Sequence, residues 1–209
     1  MLLYKRTGQP QNLGANSEMF CLSKPTREVI DAFISAQRAQ PFSYPGIGST
    51  RGKPPRGYNV DHNRIRLGQG RDAFARARRA IHSWKMFGMP WTEMCWPDTP
   101  VEINATVAVL AFHFGFWSLN ACRIVYLVEE LGSVEKHGFA YGTLQGHAEF
   151  GEERFTVEYD QGDQSVWYDL YAFSRPGFAA RLGYPFSRAL QRRFARDSKA
   201  AMLRAAVSP

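Results

Sequence analysis

The densest concentration of groups able to do chemistry lies between Tyr141 and Phe155. There His147, Glu149, Glu152 and Glu153 place one histidine and three carboxyls within seven residues. An imidazole titrates near neutral pH, and a neighbouring carboxyl can take up or return a proton. His147, Glu149 and Glu152 are therefore candidate catalytic residues for general acid–base work. The same stretch also reads as a Gly-rich hairpin whose carboxylates pair with Arg154 or Arg123 and face water, because surface ion pairs are common and worth little. Both readings stand on sequence. No G-x-S-x-G elbow occurs, and the five histidines (His62, His82, His113, His137, His147) form no HExxH or HxxxH pair. Neither a metal site nor a cofactor is expected. Cys21, Cys95 and Cys122 are odd in number and form no CxxC pair, which fits small buried residues in a reducing interior.

Gly68-Gln69-Gly70-Arg71-Asp72-Ala73 matches G-x-G-x-x-[GA] between a strand and a helix, with Glu93 twenty residues beyond Ala73. A dinucleotide site of that kind needs a parallel sheet of βαβ units. The strands that follow leave no room for crossover helices, so the segment reads as a strand-to-helix turn.

The elements that must position these groups are legible in the hydrophobic period. The first two dozen residues show no sustained period and are expected to be poorly fixed. Thr26 reads as an N-cap before a helix carrying Val29, Ile30, Phe33 and Ile34 on one stripe, ending near Gln40 ahead of Pro41. Residues 41–57 hold four prolines and four glycines and read as a loop or linker. Residues 1–57 are thus an extension with one helix, and residues 58–209 the main domain. A strand at Tyr58–Leu67 and a helix from Gly70 to Lys85 come next. The period then changes to two, giving six strand candidates: Trp91–Trp96, Ala105–Phe114, Ala121–Glu130, His137–Thr143, Glu152–Asp160 and Ser165–Ser174. On strict alternation Ile124, Tyr126 and Val128 share one face, Arg123, Val125 and Leu127 the other, and Phe155, Val157 and Tyr159 lie together. A long amphipathic helix, Pro185–Ala206, closes the chain. Consecutive antiparallel strands followed by one such helix make an α+β fold, and both apolar faces are buried if the sheet curls around the helix.

The 209 residues, 44% hydrophobic and 22% charged, suit a globular chain with a buried core. No window reaches the ~18–20 apolar residues of a membrane-spanning helix. The N-terminus lacks an apolar stretch after its charges, arguing against a secretory signal, so a cytoplasmic location is expected. From Arg175 onward eight basic residues oppose Asp197 alone, which accounts for the whole formal net charge of +7. That basic segment reads as a solvated face, a surface for nucleic acid, or a peripheral contact with an anionic membrane. No nucleic-acid signature accompanies it.

Several motifs carry a family resemblance: Arg66–Gly70, Phe74, Trp84–Phe87, Arg123–Tyr126, Gly138–Leu144, Gly146-His147, Gly151–Phe155, Ala172–Pro176 and Gln191–Phe194. Over roughly residues 20–205 the chain resembles a domain-of-unknown-function family of bacteria and plants. Its C-terminal half is similar to the START/SRPBCC helix-grip superfamily, in which a curved antiparallel sheet and a long C-terminal helix enclose hydrophobic ligands. Some members of that superfamily are cyclases or hydrolases, but none of their catalytic patterns matches here. The resemblance implies a helix-grip architecture with an N-terminal helical extension, and a small hydrophobic ligand (a lipid, isoprenoid or polyketide-like compound) as partner. Tyr126, Tyr141, Phe155, Tyr168, Leu190 and Phe194 would line its cavity, with Arg123, Glu153 and Arg175 as polar anchors beside His147 and Glu152. The alternatives are an enzyme, hydrolase or lyase, built on the His/Glu cluster, and an interaction module using the basic helix.

Overall fold

A computed structural model of the chain describes residues 2–4, 19–177 and 184–207. The period-two stretches become a sheet of nine strands: β1 (Leu2–Tyr4), β2 (Met19–Cys21), β3 (Asn59–Gln69), β4 (Thr92–Cys95), β5 (Thr106–His113), β6 (Phe116–Glu130), β7 (Val134–Thr143), β8 (Glu149–Asp160) and β9 (Ser165–Pro176). Their order is β1-β2-β6-β7-β8-β9-β3, with β5 and then β4 flanking the other edge of β6. All pairs are antiparallel except β1 with β2. This antiparallel pairing removes any dinucleotide role for Gly68–Ala73, whose glycines end β3 and open a helix.

Among the described residues three α-helices cover the sheet. α1 (Arg27–Gln37) packs Ile30, Phe33 and Ile34 against Ala108, Leu110, Leu119 and Ala121 on what we call the outer face. On the inner face lie α2 (Arg71–His82) and α3 (Tyr184–Val207). α2 presents Ala73, Phe74, Ala77, Ala80 and Ile81 at helical spacing, with Asp72 in its first turn and Arg79 and His82 in its last, the polarity a helix dipole favours. The result is an α+β helix-grip fold, a largely antiparallel sheet holding a long C-terminal helix, as expected.

Three expectations need correction. The first two dozen residues supply two short strands, one paired to β6; residues 5–18 lie outside the described residues. β6 begins at Phe116 rather than Ala121. Third, β6 does not alternate strictly. Ile124 pairs with Tyr141 but Tyr126 pairs with Ala140, so Val125 is an extra, bulged residue. Ile124 therefore joins the inner core, while Tyr126 and Val128 turn to the outer face beside Ala140.

The Pro/Gly-rich stretch after α1 packs against the outer face of β7 and β8. Glu152, 2% exposed, accepts hydrogen bonds from Tyr44 Oη (2.7 Å), Gly48 N (2.6 Å), Thr50 N (2.9 Å) and Thr50 Oγ1. Tyr44 lies so close over β7 that a Cβ on Gly142 would meet its hydroxyl at 2.1 Å. Position 142 must be glycine for this approach.

Candidate functional site

α3 does not rest on the sheet along its whole length. Its second half is anchored by buried Ser198, Ala201, Met202 and Ala206, and Ser198 Oγ lies 3.0 Å from Tyr168 Oη. Its first half stands off, with Leu190 and Phe194 only partly buried. Two devices hold the stand-off. Arg188 donates to both oxygens of Asp61 on β3 (2.6 and 2.8 Å), and Gln191 Nε2 donates to Glu149 on β8 (2.7 Å) and Ser174 on β9 (3.0 Å). Beneath that half lies a hollow of about 860 Å³.

Phe87, Trp91, Val109, Phe116, Leu170, Leu190 and Phe194 form its apolar wall. Phe87 bridges the wall, its ring 6.1 Å from that of Tyr141 in a stacked arrangement and 5.7 Å from that of Phe194. Polar groups enter from β3 (Asp61, Asn63), β6 (Ser118, Asn120), β7 (Tyr141, Thr143) and β8 (Glu149, Glu153), with His147 on the β7–β8 connection.

The electrostatics of these groups follow from burial. Glu153 accepts a hydrogen bond from Tyr141 Oη (2.9 Å), yet desolvation carries its carboxyl up to about 7. Desolvation likewise raises Glu149 to about 7, against the opposing pull of Ser174, Gln191 and Arg188. His147 moves the other way. Its Nδ1 accepts the Glu149 backbone N–H (2.9 Å), which places the proton of the neutral ring on Nε2, and burial pushes its pKa down to about 4. A charge switch near neutral pH, expected of His147, is therefore absent, and the carboxyls of Glu149 and Glu153 titrate there instead. The Cys122 thiol, also on the wall, is driven well above its ordinary value by burial and is inert.

Of the residues singled out by sequence, the structure brings together His147, Glu149, Glu153, Tyr141, Leu190 and Phe194 on the hollow. Phe155 and Tyr168 point the same way but are fully buried in packed core. Four lie elsewhere. Glu152 and Tyr126 belong to the outer face, where Tyr126 Oη bonds Thr50 Oγ1 (2.7 Å). Arg123 donates to the carbonyls of Gln37 and Arg38 at the end of α1 (3.1 and 2.7 Å). Arg175 lies over the Tyr58 ring (5.0 Å). None of the cluster's three carboxylates pairs with Arg154 or Arg123. Arg154 instead reaches the Thr50 carbonyl (3.0 Å) and Asp169 (3.3 Å), and Asp169 also pairs with His62. Sequence reasoning missed Asp61, Gln191 and Phe87. Alternation of β3 and a polar residue on the apolar side of α3 were the available signals for the first two.

No helix of the described residues is long and apolar enough to cross a membrane. The chain is 35% identical over 212 residues to a UPF0548 protein of Dictyostelium discoideum, covering 91% of this chain and 97% of that protein. It is 37% identical over 201 residues to a UPF0548 protein of Deinococcus radiodurans, covering 90% of this chain and 99% of that one. Among solved structures it is similar to human STARD10, at 9% identity and a TM-score of 0.38, over 87% of this chain and 81% of that one. Residues 43–201 match the family described as "Domain of unknown function (DUF1990)". By this match and by its relatives, the chain belongs to the DUF1990 family.

Proposed function

We propose that the protein binds a small, largely apolar molecule between its sheet and the first half of α3. The observation that carries this reading is the hollow itself. Its volume of about 860 Å³ falls within the range of small-molecule sites, roughly 300–1,000 Å³. An aromatic and aliphatic wall with a few converging polar groups is the composition such sites share. A cavity this large lowers stability relative to a filled core, because its lining loses dispersion contacts. Filling it with a ligand recovers them. Native mass spectrometry and organic extraction of the purified chain test the proposal, with titration by the neutral apolar dye Nile red beside them. A co-purifying apolar compound or saturable dye uptake is expected. An empty protein that takes up no dye would overturn it.

A second reading has one observation in its favour. Glu149 and Glu153 both titrate near pH 7 inside a partly desolvated space, where a carboxyl can act as general acid or base. This is a hydrolase or lyase reading in which Glu149, already a candidate from sequence, works with Glu153 in place of His147 and Glu152. A turnover screen comparing wild type with Glu149→Gln and Glu153→Gln tests it. Activity unchanged by either substitution would remove it.

A further inference from the structure

The acids around the hollow differ in one respect. Asp61 is held by both nitrogens of the Arg188 fork, Glu149 is bonded by Gln191 with Arg188 near, and Glu152 is saturated by donors on the far face. Among the described residues Glu153 has the Tyr141 hydroxyl alone as hydrogen-bond partner. Among the described residues no Lys, Arg or His nitrogen lies within ion-pair distance of it, and the charge that acts on it is that of Asp61, which has the same sign. A carboxylate withdrawn from water without a cation is costly, and a partner of opposite charge relieves that cost.

Beside this carboxyl stand faces rich in π density. The Tyr141 ring, whose hydroxyl Glu153 holds, stacks on Phe87, and Phe87 contacts Phe194. A carboxylate on a wall that also carries aromatic rings attracts an ammonium group through the ion pair, and a ring face within about 6 Å of the bound cation adds to that attraction. An anion there would meet Asp61, Glu149 and Glu153 together. Three cations also line the hollow: Arg192 and Arg196, both exposed, and Lys199, whose Nζ donates to Asn63 Oδ1 (3.3 Å); among the described residues none of them pairs with Glu153.

We infer that the hollow is selective for an organic cation, a primary amine carried on an apolar body, with Glu153 and the Tyr141–Phe87 wall holding its head group. This inference rests on the binding reading above and names the class of ligand. The alternative for the same carboxyl, donating its proton to a neutral carbonyl or hydroxyl, is an outcome of the test.

The test uses the full chain at pH 8 and three probes with the same eight-carbon body: octylamine, 1-octanol and octanoate. Each is titrated against bound Nile red and followed by saturation-transfer NMR. Octylamine is expected to displace the dye at a concentration at least tenfold lower than either of the others. Glu153→Gln is expected to bring the amine-to-alcohol ratio to about one. Equal displacement by 1-octanol, better displacement by octanoate, or a preference that survives Glu153→Gln would each overturn the inference. The wild-type comparison alone decides if the variant does not fold. Saturable dye binding without amine preference removes this inference and leaves the binding reading intact, whereas no dye and no probe binding removes both.

Discussion

Glu152 and Glu153 are neighbours in sequence and open onto opposite faces of β8. The first is saturated by Tyr44, Gly48 and Thr50 and fixes the post-α1 loop to the sheet, and the second enters the hollow with the Tyr141 hydroxyl. Glu152→Gln replaces one acceptor oxygen by a donor and leaves two loop donors without partners. It is expected to cost about 3 kcal/mol, since each buried group so orphaned loses roughly 1–3 kcal/mol. Urea unfolding gives the loss, and hydrogen exchange at the Gly48 and Thr50 amides shows whether the loop has come away.

The approach of Tyr44 to Gly142 makes a second, independent prediction about the same loop. Gly142→Ala places a methyl group against the Tyr44 ring and hydroxyl and is expected to destabilise the protein by about 2 kcal/mol or more. In a Tyr44→Ala background the methyl meets open space, so the added cost of Gly142→Ala should fall to a few tenths of a kcal/mol. A double-mutant cycle by denaturant unfolding measures this coupling. Additive costs would show that the loop does not sit as described.

How far the fold could be read in advance depended on whether each signal was local. Strand period and helical stripes are local, and among the described residues six of the nine strands and the three α-helices fall near their expected bounds. Glu153 is traceable too, since it continues the row of Phe155, Val157 and Tyr159. The bulge at Val125 was invisible because an apolar residue within an apolar run leaves no mark on the period, yet it reverses every side chain beyond it. The bonds from residues 44–50 to Glu152 span more than a hundred positions, so the loop's composition could not announce its docking.

Tyr126 and Tyr141 test the consequence of that bulge. The expected cavity lining includes both, whereas the structure leaves Tyr141 there and sets Tyr126 on Thr50. Tyr126→Phe removes one hydrogen bond and is expected to cost about 1 kcal/mol of stability while leaving Nile red affinity as in wild type. Tyr141→Phe strips Glu153 of its donor and is expected to change the octylamine-to-octanol ratio severalfold. Dye and probe titrations of the two variants decide between the registers, and a Tyr126→Phe protein with altered uptake would favour strict alternation.

The titration of the hollow leaves a signature in stability that needs no ligand. In the folded chain Glu153 keeps its proton up to about pH 7, whereas the unfolded chain releases it near its ordinary value of 4.5. Between those limits the folded state binds more protons than the unfolded state, so raising the pH withdraws stability. Glu149 behaves alike. Glu153→Gln has no such proton to lose. Its stability relative to wild type should therefore improve from pH 5 to pH 8, by a ceiling of roughly 3 kcal/mol, because each tenfold difference in proton affinity between the two states is worth about 1.4 kcal/mol. His147 has the opposite sign. Its folded value of about 4 lies below the ordinary 6.5, so its contribution is complete above pH 6.5 and is lost as the pH falls toward 4. His147→Asn should accordingly gain on wild type toward acid, the reverse of Glu153→Gln. Urea unfolding of the three proteins at pH 5, 6, 7 and 8 measures both trends. Stability curves that run parallel across that range would mean that neither group is desolvated as the hollow requires.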